Sequence, residues 1–302
     1  MKIRRREFLG TAAAGAGAAL AGARIARAAP PDTDPVGIVS LGKHLKVPRI
    51  GAGTGMRGGN RQTNQTRMGR EKFEALLHYE YDQGVRMFDL ADLYGTHPYA
   101  GRALRSKPRD SFVVSSKYWW RKGGLPEPER PDADVAIARY LKELKLDYVD
   151  LVQLHCVTSP KWPGEMRRQM DIMEKLKQKG VIRAHGVSCH SVGALEAAVR
   201  EPWVDVVHAR INPYGAAMDG PPEKVVPVLK RIHDAGKGII GMKIIGEGRF
   251  RDDDQKRDHS ARWVLGLGTV DMMAVGFEKP EEVDDFKDRV KRALAARAKG
   301  TG

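Results

Sequence analysis

Residues 148–155 read YVDLVQLH, a nearly continuous apolar run that ends on a histidine. Both sets of alternate positions carry apolar side chains, so the run suits a strand covered on two faces rather than one lying against water. A polar stretch follows, then helical spacing over about 165–179. Gly180 stands where that helix should stop, and a second apolar run begins at Ile182. One strand, one helix and the next strand are thus legible in about forty residues, the length of a parallel strand-helix-strand unit.

The same unit recurs in both directions. Strands are expected at 49–53, 87–90, 112–116, 149–155, 182–187, 204–209, 238–243 and 272–276. Helices are expected at about 70–83, 100–105, 131–144, 165–179, 191–199, 223–235, 259–267 and 280–296. Pro280 with Glu281 and Glu282 marks a helix start, since proline tolerates the first turn and acids suit its positive end. Eight such units predict an α/β fold of the closed (β/α)8 type, a TIM barrel over 47–302. The competing open, doubly wound sheet would need a helix straight after Gly51-Ala52-Gly53-Thr54-Gly55, and the sequence offers none there.

Composition agrees with a folded domain: 302 residues, 41% hydrophobic and 30% charged. The formal charge of +14 is partly terminal. Residues 1–28 hold six bases against Glu7, which leaves +9 for the remainder. The bases are dispersed and form no recognisable nucleic-acid module, so no nucleic-acid partner is expected. Arg4, Arg5 and Arg6, an Ala/Gly-rich run to Ala23, and Ala26-Arg27-Ala28 resemble a twin-arginine export signal. That reading implies the twin-arginine translocon as a partner, a periplasmic or exported destination, and 29–46 as a linker or lead-in. The segment is too short and too weakly apolar to span a bilayer. Cys156 and Cys189 are the only cysteines and are read as free thiols, with neither a disulfide framework nor a metal site.

In a barrel, polar residues just past the strands share one mouth. Asp89 closes the second expected strand and Tyr94 lies in its loop; Lys117 ends the third and His155 the fourth. Trp119, Trp120 and Trp162 are expected at the same rim as pocket walls. An acid, a phenol, an ammonium and an imidazole together suit proton transfer. The lysine can favour ionisation of the tyrosine, the aspartate can keep the lysine charged, and the histidine can donate to a substrate oxygen.

These residues resemble the aldo-keto reductase family. Residues 84–95, with Asp89 and Tyr94, are similar to its first signature; 114–117 match its lysine motif, 148–155 its histidine strand, and 180–188 the strand after that. The resemblance runs from Val47 to Ala296. It implies NAD(P)H-dependent reduction of an aldehyde or ketone by a catalytic tetrad of Asp89, Tyr94, Lys117 and His155. On the cofactor side it points to Ser188, Cys189 in place of the usual asparagine, His208 in place of a glutamine, and Met242 in place of an aromatic. Lys243, Gly246, Gly248, Arg249 and Lys279 would lie along the phosphates and the adenosine. Both NADP and NAD stay open, because Glu278, Glu281 and Glu282 surround Lys279. The charged loop 246–257 is expected to act as a lid. Export of a nicotinamide enzyme also admits a tightly retained cofactor, serving isomerisation or dismutation, or a binding scaffold that has kept the tetrad.

Overall fold

The computed structural model describes residues 33–300; the expected export segment, 1–28, lies outside them. The chain first makes an antiparallel hairpin, β1 (Ile38–Leu41) with β2 (Leu45–Pro48). Eight parallel strands follow: β3 (Ile50–Gly53), β4 (Met87–Asp89), β5 (Val113–Tyr118), β6 (Val149–Val157), β7 (Ile182–Cys189), β8 (Val206–Arg210), β9 (Gly238–Met242) and β10 (Met272–Val275). They close in chain order, and β10 returns to β3 at Met273 opposite Ile50. This is the expected (β/α)8 barrel.

One main helix after each strand shields the barrel from water: Arg70–Asp82, His97–Ala103, Ala133–Leu144, Arg167–Gln178, Val192–Arg200, Pro222–Asp234, Asp254–Gly266 and Pro280–Ala298; single-turn helices, Asn64–Arg67 and Trp162–Glu165, precede the first and the fourth. Gly180 ends its helix in the left-handed region at φ 74°, a conformation that a Cβ would strain. Ser191 accepts from the Ala194 amide and so caps the helix it precedes. The seventh helix begins at Asp254 rather than near 259, because Asp253 caps it by accepting from the Lys256 amide.

The lead-in expected at 29–46 contains β1 and the first half of β2. Leu41, Leu45 and Val47 are buried against Met87, Leu151, Ala184, Val206, Ile240 and Met272, which point into the lower barrel. The hairpin is therefore a plug. It keeps water from the N-terminal end of the strands, where each buried aliphatic side chain contributes about 1.5–3 kcal/mol. The opposite, C-terminal end stays open for chemistry. Among the described residues no helix is long and apolar enough to cross a membrane.

Candidate active site

Strand alternation sends Asp89, Lys117 and His155 into the barrel from β4, β5 and β6. All three are buried. Lys117 Nζ donates to Asp89 Oδ1 at 2.5 Å and to the Leu90 carbonyl at 3.1 Å. Tyr94 comes from the loop after β4, and its hydroxyl lies 3.4 Å from His155 Nε2. The Lys117 ammonium sits 5.1 Å from the centre of the Tyr94 ring. The structure thus brings the four expected residues together.

Tyr94 is held from three sides. It ends a single 3₁₀ turn, Asp92–Tyr94. Asp92 anchors that turn by accepting from Arg139 at 2.7 Å and from the Tyr140 hydroxyl at 3.1 Å. Gly55 and Gly58 lie against the ring itself: a Cβ on Gly55 would come within 2.3 Å of it, and one on Gly58 within 2.8 Å. Only glycine permits that approach.

Burial, followed by the charge of Asp89, raises the Tyr94 pKa well above its usual range. The expected lowering by Lys117 does not dominate, because the lysine charge is already matched by Asp89 and the phenolate would lose its water. Tyr94 therefore keeps its proton. Burial, and then the Lys117 charge, push His155 well below the ordinary imidazole value, so its ring is neutral. A neutral imidazole and a protonated phenol face each other at the mouth.

A groove of about 530 Å³ opens beside Asp89 and Tyr94 and runs between the loops after β9 and β10. Its walls mix apolar side chains, including Met242, Ile244, Val275 and Phe277, with Arg57, Lys243, Arg249, Arg251 and Arg257. Arg251 pairs with Glu278 and, at 3.6 Å, with Glu282; Arg257 lies 3.6 Å from Asp285. These contacts latch loop 246–257 to the segment after β10. Arg57 and Arg249 have no carboxylate partner among the described residues.

Met242, Lys243, Gly248 and Arg249 line this groove, whereas Gly246 and Lys279 do not. Ser188 faces the interior, but the Cys189 thiol points outward and is wholly buried among apolar side chains, where burial drives its pKa far up. The strand alternates here, so the expected Cys189 contact is not made by its side chain. His208 is also fully buried. Its Nδ1 meets Gln153 Oε1 at 2.7 Å and its Nε2 lies 3.7 Å from Asp89 Oδ2, so it sits beneath the tetrad rather than in the groove. Trp119 packs edge-on to His155, and Trp120 donates to the His155 carbonyl at 2.8 Å. Trp162 is no pocket wall: it is buried in the helix layer and donates to the Ala194 carbonyl at 3.2 Å.

Three residues at the mouth escaped the sequence reading. His190 follows β7 and lies 6.5 Å from His155, ring centre to ring centre. Arg210, at the end of β8, donates to His190 Nδ1 and to Asp219 Oδ1, the latter at 3.1 Å. Arg121 donates to the Cys156 carbonyl and the Thr158 hydroxyl, each at 2.7 Å. Cys156 has a φ of 56° at an irregularity in the β6–β7 pairing, and its Sγ lies 3.5 Å from His190 Nε2. Counting past the ends of β5, β7 and β8, as for β4 and β6, would have flagged these positions.

Known proteins are similar to this chain in sequence and fold. A D-threo-aldose 1-dehydrogenase from a Pseudomonas species is 28% identical over 214 residues, 61% of this chain and 63% of its own length. The chain therefore spans under two thirds of that relative. The aldo-keto reductase YhdN of Bacillus subtilis is 26% identical over 237 residues, 72% of this chain and 67% of its own. An aldo-keto reductase from Klebsiella pneumoniae, solved in complex with NADPH, superposes with a TM-score of 0.64 at 21% identity and covers 84% of this chain and 89% of that one. Residues 49–275 match the pattern described as the Aldo/keto reductase family, and the chain belongs to that family.

Proposed function

We propose that this protein reduces an aldehyde or ketone to the alcohol with a nicotinamide cofactor. The observation that carries this reading is the protonated Tyr94 hydroxyl 3.4 Å from the neutral His155 ring, beside a long groove with cationic walls. The groove residues fit a dinucleotide. Met242 and Val275 offer an apolar floor near Tyr94, and Arg57 and Arg249, without a carboxylate partner among the described residues, suit a pyrophosphate. A bound nicotinamide supplies the hydride that adds to the carbonyl carbon.

Each member of the tetrad has a distinct task. His155 donates a hydrogen bond to the carbonyl oxygen and fixes its position. Tyr94 transfers its proton to that oxygen as negative charge develops, which completes the alcohol. Lys117, tied to Asp89, keeps a positive charge under the Tyr94 ring and stabilises the phenolate left behind. Trp119 excludes water from one side.

NADPH is the proposed cofactor, since Arg251 and Arg257 stand in the groove and can turn from Glu278 and Asp285 to a 2′-phosphate. The Klebsiella relative solved with NADPH supports this choice. Residues 1–28 are proposed to direct export by the twin-arginine route, which would carry the folded, loaded enzyme outward. A reporter fused behind 1–28 should reach the periplasm and stay inside once Arg4, Arg5 and Arg6 are replaced by lysine. For the activity, tryptophan fluorescence should report NADPH binding, and aldehydes should drive NADPH oxidation. Absence of binding to either nucleotide sinks the enzymatic reading.

A further inference from the structure

The mouth carries more positive charge than the reduction of a neutral carbonyl requires. Four cations lie around His155 and its neighbour His190. Lys117 is matched by Asp89, Lys243 by Glu247 at 2.6 Å, and Arg210 by Asp219 at 3.1 Å. Arg121 donates to a carbonyl and a hydroxyl, lies over the Trp120 ring at 5.1 Å, and has no carboxylate partner among the described residues. Its Nε, like that of Arg210, is buried with no hydrogen-bond partner. One positive charge, that of Arg121, and one Nε–H donor on each of the two arginines are left over.

The two arginines flank a single spot. Arg121 holds the Cys156 carbonyl, Cys156 Sγ lies 3.5 Å from His190 Nε2, and Arg210 donates to His190 Nδ1. Accepting from Arg210 at Nδ1 leaves His190 with its proton on Nε2, which faces the Ser188 hydroxyl at 3.3 Å and the Cys156 thiol at 3.5 Å. The His190 pKa, lowered to about 3 by burial and the nearby cations, agrees with a neutral ring. The buried Nε–H groups of Arg121 and Arg210 are the donors here that no acceptor among the described residues uses. His155 and His190 are 6.5 Å apart, so a molecule whose carbonyl oxygen rests on His155 reaches this spot with a few bonds to spare.

We propose that the substrate is a carbonyl compound bearing a carboxylate a few bonds from the reacting carbon, gripped by Arg210 and Arg121 beside His190. Planar guanidinium groups match a carboxylate edge to edge, and partial burial strengthens the contact. The anion fixes which end of the substrate enters. Trp119, edge-on to His155, then covers the short apolar spacer between the two ends.

This inference rests on the carbonyl-reductase reading, and the experiment separates the two. The probes are 4-oxobutanoate and its methyl ester, reduced by the full chain with NADPH and compared by kcat/KM. The acid should exceed the ester by roughly ten- to a hundredfold, the worth of one or two charge-assisted hydrogen bonds. Arg210→Gln and Arg121→Gln should each shrink that ratio, through KM of the acid, and the double variant should bring it close to one. Arg210→Lys should restore part of it. NADPH titration by fluorescence confirms that each variant is folded. An ester reduced as well as the acid overturns the carboxylate proposal but leaves carbonyl reduction standing. A fall in NADPH affinity, with the acid-to-ester ratio unchanged, assigns the arginines to the cofactor and also overturns it. Reduction of neither probe nor of any simple aldehyde fails the underlying reading instead.

Discussion

Tyr94 shows how burial decides a role that charge pairing alone leaves open. Placing a lysine near a tyrosine predicts an easily ionised phenol, yet desolvation and Asp89 keep Tyr94 protonated, as a proton donor requires. Tyr94→Phe should lower kcat by about 10²- to 10⁴-fold, the usual worth of a positioned acid. Its NADPH affinity, read by fluorescence, should hardly move. The pH profile of reduction should lack a limb near 6.5, because His155 titrates well below that value, and should stay flat until the raised Tyr94 value is approached at high pH. An imidazole-like limb would place His155 in a different environment. The residue types of the tetrad were legible from strand-end counting. The inward or outward sense of Cys189 was not, because it depends on the register of β7, and His190 became visible only once that register was fixed.

At the level of elements, Glu80 on the helix Arg70–Asp82 is buried with Oε2 unpartnered, and burial raises its pKa to about 8. The unfolded value is near 4.5, so between these limits the folded chain binds the extra proton. Stability from this group is complete below about pH 4.5 and falls by about 1.4 kcal/mol per pH unit until pH 8. Glu80→Gln should remove that slope in urea unfolding measured from pH 5 to pH 8. In β7, a Cβ on Gly186 would lie 1.9 Å from the Val206 carbonyl of β8. Gly186→Ala should therefore cost at least about 2 kcal/mol, seen as a lower urea midpoint. All eight barrel strands were legible because each is apolar on both faces. The hairpin was not: Pro30, Pro31 and Pro35 just before it made the stretch read as a lead-in, although Leu41, Leu45 and Val47 show the spacing of a two-residue alternation interrupted by a turn.

On the scale of the whole molecule, the two ends of the barrel separate stability from chemistry. Leu41→Ala, in the plug, should destabilise the fold by about 2–5 kcal/mol with kcat intact, whereas substitutions at the mouth should do the reverse. Thermal melts and turnover measured on the same samples check this division. The groove draws Gly53 and Gly55 from the first barrel strand and its loop, and Val275 to Glu278 from the last. Those segments meet only when β10 pairs with β3, the contact between the most distant parts of the barrel sequence. Contacts so far apart in the chain form late. During refolding, the moment at which the protein gains affinity for a dinucleotide thus becomes a clock for ring closure, and a chain interrupted before Met272 would carry the complete tetrad yet have no finished place to receive its reductant.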